Sequence, residues 1–208
     1  MLILYAFATP NSLKPIIALE ELSLPYDLRP VDLRKGEQRG EAFRAMNPNG
    51  KVPVLVDDDP ATGALTMGES AAILVHLAEK SGQLLPAETT ARAKVFEQLF
   101  FHASSVSPAF LQAFLVALQK DADPRAKEHA LTEVNCVLGL LDRVLADDEH
   151  VAGQAYSIAD IAHYGWLWRH QAIGANFDAF PHVFRWFEQV SARPAVQAAI
   201  IKLAVLTV

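Results

Sequence analysis

Cysteine occurs once in the 208 residues, at Cys136. A single thiol excludes an internal disulfide, a CxxC pair and a cysteine-rich metal site, so thiol chemistry here needs a thiol from outside the chain. Positive charge is also scarce: 18 Lys and Arg face 24 Asp and Glu, and residues 1–85 share the deficit equally with the rest. Without a basic face, nucleic acid is excluded as a partner. The seven histidines show no metal-ligand spacing, and the ten glycines form no phosphate-cradling loop. No uninterrupted apolar run reaches the roughly 18 residues of a membrane span. The best, Ala109 to Leu118, is broken by Gln112. Residues Met1 to Ala8 are apolar but lack a basic leader, and Thr9 follows too soon for a signal peptide. The expectation is a cytoplasmic protein with no membrane contact.

What remains is an ordinary globular composition, 51% hydrophobic and 20% charged, in a length that suits two small domains or one large one. Residues 2–7 read as a buried strand. Leu13, Ile16, Ile17, Leu19 and Leu22 then recur at helical spacing. Strand-like stretches follow at 26–33, 52–56 and 64–67, with a short helix or irregular loop over 36–46 and a turn over 57–63. An amphipathic helix over 69–80 completes a β-α-β-α-β-β-α order. Gly82 to Glu88 carries Gly and Pro and reads as a linker. Beyond it the strand signals stop. Long helical patterns cover 89–119 and 124–146, Ser157-Ile-Ala-Asp160 fits a capping box, and Pro181 and Pro194 suit helix starts. Cys136, among Val134, Val137, Leu138 and Leu141, is expected to be buried and inert. The predicted domains are 1–81, a mixed sheet covered by helices; 82–88, the linker; and 89–208, all helical.

Three segments carry chemistry. Thr9-Pro10-Asn11-Ser12 and Glu69-Ser70 each sit where an apolar run gives way to a helix pattern. Helix N-termini expose unpaired N–H groups and the positive end of the macrodipole, which suit thiolates and carboxylates. Between them Asn47-Pro-Asn-Gly-Lys-Val-Pro-Val54 is a turn cluster running into a strand. Pro53 fits a strand's first residue. A cis Val52–Pro53 bond would turn the Val52 backbone outward, but only ~5–6% of X–Pro bonds are cis, so its state stays open. The trio suits an anionic thiol ligand that also carries carboxylates.

Taken in order and spacing, these segments resemble the cytosolic glutathione transferase superfamily across nearly the whole chain. Asn47 to Val54 looks like its loop to a cis-proline, Glu69-Ser70-Ala-Ala-Ile like its γ-glutamyl motif, and Tyr156-Ser-Ile-Ala-Asp160 like its helical-domain capping box. Thr9-Pro10-Asn11, with Val31-Asp-Leu-Arg-Lys-Gly-Glu-Gln38, is similar to the bacterial nu class, associated with glutathione-dependent disulfide reduction, and to fungal nitrogen-regulator-like relatives. Ser12-Leu-Lys-Pro15 is similar to the beta class, which has a cysteine about where Asn11 stands, so that cysteine chemistry is unavailable. The resemblance implies a thioredoxin-like N-terminal domain, an all-helical C-terminal domain and homodimerisation.

It also implies roles for particular residues. Thr9 and Asn11 would donate hydrogen bonds to the glutathione thiolate, with Ser12 and Tyr5 as competing donors. Val52, ahead of Pro53, would pair its main chain with the peptide. Glu69 would meet the γ-glutamyl ammonium and Ser70 its carboxylate, while Lys51 and Gln38 would reach the glycyl end. The second substrate, a small disulfide or an apolar electrophile, is less legible. Phe100, Phe101, His102, Phe110, Phe114, Trp166 and Trp168 line a pocket or simply fill a core.

Overall fold

A computed structural model describes residues 1–59 and 63–207, except for the Thr207 side chain. Residues 60–62 of the expected turn lie outside the described residues. Its flanks are strand instead, because β3 runs over Val54–Asp59 and pairs antiparallel with β4, Gly63–Met67. The remaining strands, β1 (Leu2–Ala6) and β2 (Tyr26–Pro30), are parallel to each other, and β1 pairs antiparallel with β3. The sheet order is β2-β1-β3-β4. It is the thioredoxin-like arrangement expected from the sequence.

The helices of this part are α1 (Pro10–Glu21), α2 (Glu41–Met46) and α3 (Ser70–Ser81), with a 3-10 turn over Glu37–Arg39. Pro10 opens α1, where a missing N–H costs nothing. Pro15 lies inside α1, which therefore lacks the bond from residue 15 back to the Asn11 carbonyl. Leu13, Ile16, Ile17 and Leu19 of α1 are fully buried, as are Ile73, Leu74 and Leu77 of α3. Leu4 and Leu55 of the sheet are fully buried as well, while Val54 belongs to a separate cluster with Phe7, Val31, Phe43 and Val52.

Beyond residue 84 the structure is helical: α4 (Thr89–Phe101), a π-helical segment (His102–Val106), α5 (Ser107–Ala117), α6 (Pro124–Asp147), α7 (Ile158–Leu167), α8 (Pro181–Ser191) and α9 (Pro194–Ala204). The run Thr89–Ala117 is long and apolar enough, by length and composition, to cross a membrane. It also packs within its own unit, burying Val95, Leu99, Val106, Phe110 and Val116. Of the aromatic residues considered for a second pocket, Phe110, Trp166 and His102 are core, and Phe100 is largely exposed. Cys136 is exposed, against expectation. The buried face of α6 is Ala130, Val134, Val137, Leu138, Leu141 and Leu145, and position 136 falls off that stripe.

The contacts divide the chain into two compact units, Met1–Gln83 with Arg193–Val208, and Leu84–Ala192. The expected division gave all of 89–208 to the helical domain. Instead α9 belongs to the first unit, where it packs on α1. Val196, Ala199 and Leu203 supply its buried face, and Arg193 grips Glu21 through two hydrogen bonds of 2.6 and 2.9 Å. Sequence periodicity announces the helix but not which sheet it returns to.

Candidate functional site

The start of α1 is a dense local network. Thr9 is its N-cap: Oγ1 accepts from the Ser12 N–H at 3.1 Å and donates to Ser12 Oγ at 3.0 Å. Ser12, fully buried, also accepts from the Phe7 N–H at 3.4 Å. Thr9 and Ser12 thus close the turn between β1 and α1. Tyr5 accepts from Arg29 Nη1 at 3.1 Å and packs on the cluster of Phe7, Val31, Phe43, Val52 and Val54. Asn11 differs. Half-buried on the first turn, it accepts from Lys14 Nζ at 2.9 Å through Oδ1. The other half of that amide, Nδ2, carries two N–H donors that this contact does not use.

At the start of α3, Glu69 holds a positive φ of 63°. A non-glycine residue there costs of order 1 kcal/mol or more, and such positions cluster at functional sites. Its carboxylate makes no cap bond to its own helix and is exposed, so it is available to a cation. Ser70 follows as the first helical residue, with Oγ 3.5 Å from Lys14 Nζ. The two helix N-termini therefore meet at one ammonium.

The turn ahead of β3 joins the same face. Asn47 Nδ2 donates to the Lys51 carbonyl at 2.7 Å, and its Oδ1 accepts from the Asn49 N–H at 3.1 Å. Gly68, next to Glu69, abuts that amide: a Cβ there would lie 3.0 Å from Asn47 Nδ2. Val52 is buried, and the Val52–Pro53 bond is cis. The Lys51 side chain is exposed. Gln38 lies on the 3-10 turn, its carbonyl 3.1 Å from where a Gly50 Cβ would sit, and its Oε1 is buried without a hydrogen-bond partner among the described residues. Asn47 and Lys14 are thus the residues through which the expected positions become neighbours.

Both fall in segments singled out from the sequence, but neither was assigned a role there. Lys14 is 2% exposed, and burial pulls its ammonium down to about 7, with Glu69 acting in the opposite sense. The available signal was a lone cation on an otherwise apolar helix stripe, three residues after Asn11. Among the described residues no group of three or more His, Cys, Asp or Glu gathers as metal ligands would. The site is one of hydrogen-bond donors, helix N-termini and a buried cation around an exposed carboxylate. It can hold a zwitterionic peptide and stabilise a thiolate at the α1 end.

Residues 8–80 match the family described as glutathione S-transferase, N-terminal domain, and residues 106–194 match glutathione S-transferase, C-terminal domain. The disulfide-bond oxidoreductase YfcG of Escherichia coli K12 is 38% identical over 208 residues, spanning 97% of this chain and 95% of that protein. A glutathione transferase family member from Pseudomonas fluorescens pf-5, crystallised with two glutathione bound, superposes with a TM-score of 0.89 at 35% identity, over 96% of this chain and 92% of that one. A Pseudomonas putida glutathione transferase with one glutathione disulfide bound per subunit gives 0.88 at 33% identity, over 96% and 90%.

Proposed function

Because the chain belongs to the glutathione S-transferase family, we propose that it is a glutathione-dependent thiol–disulfide oxidoreductase that activates bound glutathione as its thiolate. The observation that carries this reading is the Asn11 amide, fixed by its oxygen and left with donors at a helix N-terminus. The likeness to YfcG and the glutathione disulfide bound by the Pseudomonas putida relative favour disulfides over carbon electrophiles.

A free glutathione thiol should titrate near the reference value of ~8.5, leaving a few per cent thiolate at neutral pH. Asn11 Nδ2 and the Asn11 main-chain N–H stabilise the anion, since Pro10 has no N–H and the Ser12 and Leu13 N–H groups are bonded to Thr9. Thr9 acts through the helix cap that orients them. Val52 pairs its main chain with the cysteinyl segment, Glu69 meets the γ-glutamyl ammonium, Ser70 holds the adjacent carboxylate, and Lys51 and Gln38 lie toward the glycyl end. The thiolate attacks one sulfur of a disulfide, forming a mixed disulfide and expelling the other sulfur as a thiolate. A second glutathione thiolate then displaces the remaining substrate thiolate and leaves as glutathione disulfide. Two protons lost by glutathione end on the two product thiols. No protein cysteine takes part. The family resemblance further implies a homodimer.

The test is reduction of a small dialkyl disulfide by glutathione, coupled to NADPH oxidation through added glutathione reductase. Wild type should turn over, and Asn11→Ala should lose at least tenfold in kcat/KM, the ~1.4 kcal/mol of one good transition-state hydrogen bond. A wild type that conjugates chlorodinitrobenzene but leaves the disulfide untouched would make the enzyme a conjugating transferase instead.

A further inference from the structure

Asn11 and Ser70 lie 59 residues apart in the sequence, yet both contact the Nζ of one buried lysine. A protonated lysine has three N–H donors and no acceptor, so the atom that Asn11 presents to it in that state is Oδ1, as the 2.9 Å contact has it. That choice decides the chemistry. A side-chain amide without such a partner can rotate by half a turn at little cost, presenting its oxygen to the ligand and repelling a thiolate. Lys14 removes the freedom. It arrives from the next turn of α1, at the i+3 position, where the side chain reaches back over the first turn.

We propose that Lys14 is the positioning residue of the glutathione site: it holds Asn11 Oδ1 so that Nδ2 is aimed at the thiol sulfur, and it couples that amide to Ser70 at the γ-glutamyl end. The proposal rests on the glutathione reading above. Lys14 touches no reacting atom; it acts through Asn11. Its burial shields the contact from solvent, and while protonated the ammonium holds its acceptor firmly in that low-dielectric setting. The charged group acting on it across the α1–α3 contact is Glu69.

Lys14→Met keeps the length of the side chain and removes donors and charge. The thiolate of bound glutathione, followed by its absorbance near 240 nm against pH, should then titrate at least one unit higher than in wild type. kcat should fall at least tenfold, with a smaller change in KM. In the Lys14→Met/Asn11→Ala double variant the loss should stay within twofold of Asn11→Ala alone, because the lysine has nothing left to orient. An unchanged thiolate titration, or losses that multiply, would reduce Lys14 to a packing residue and overturn the proposal. A crystal structure of wild type with glutathione tests it without any variant. Asn11 Nδ2 should lie within hydrogen-bond distance of the sulfur while Oδ1 stays on Lys14; the reverse orientation would overturn it. A wild type that lowers the glutathione thiol pKa yet reduces no disulfide would sink the reductase reading and leave Lys14 in its role.

Discussion

Each unit of this protein buries one charge near the start of a helix, and the two are held differently. In the helical unit Asp160 is completely buried and accepts from the Ser157 N–H at 2.9 Å, the Val151 N–H at 3.1 Å and the Trp186 indole at 2.8 Å, with Ser157 Oγ at 3.2 Å. Its partners are backbone groups, the Ser157 hydroxyl and a core ring, with His150 Nδ1 3.4 Å away, and they tie α7, α8 and the preceding loop together. In the first unit Lys14 contacts side chains, Asn11 and Ser70, that open on the face where a ligand is expected. A buried charge saturated by its own fold serves stability; one turned to the rim of a site can serve a ligand at stability's expense.

The largest effect expected from that contrast is at Asp160. Replacing it by alanine strands two buried backbone N–H groups and the Trp186 indole, so urea unfolding should show a loss of about 3 kcal/mol or more. A loss below about 1 kcal/mol would mean that water or relaxation satisfies those donors, and the contrast would fail.

At Lys14 the stability should depend on pH. Its ammonium titrates at about 7 in the folded protein against 10.5 ordinarily, because burial disfavours the charge. Between those values the unfolded chain holds the extra proton, so native stability gains as pH rises, by up to about 1.4 kcal/mol per unit. Below 7 the cost of burying the ammonium is fully present; above 10.5 it has vanished. Urea unfolding at pH 7, 8 and 9 should therefore show wild type gaining on Lys14→Met. A constant difference between the two would contradict this assignment.

The smallest effect belongs to the exposed thiol. Cys136→Ser should change stability by no more than about 0.5 kcal/mol and glutathione-dependent turnover by less than twofold. A larger drop in turnover would bring a protein thiol into the reaction.

Much of this was legible in the chain. The βαβαββα order, the capping box at Ser157 and Asp160 and the proline-initiated helices α8 and α9 rest on local rules of periodicity, capping and turn chemistry, and each appears where those rules put it. Family resemblance added Thr9, Asn11, Val52, Glu69 and Ser70 as positions of interest. It did not distinguish their duties. Thr9 donates its hydroxyl to Ser12, Ser12 is fully buried behind that cap and Tyr5 packs on the Phe7 cluster, while the half-buried Asn11 amide keeps two N–H donors.

What only the tertiary structure decided are relations between residues distant in sequence. Periodicity marked α9 as a helix, but its return to α1 through Arg193 and Glu21 depends on long-range packing. Cys136 looked buried among its apolar neighbours, yet the orientation of α6 turns it outward. Lys14 carried no reading of its own in the sequence, and the structure buries it against Ser70 of α3. Local sequence sets dihedral preferences and which stripe of a helix is apolar. Burial, and with it the charge state and hydrogen-bond duty of a side chain, is fixed only when a second element arrives to exclude water.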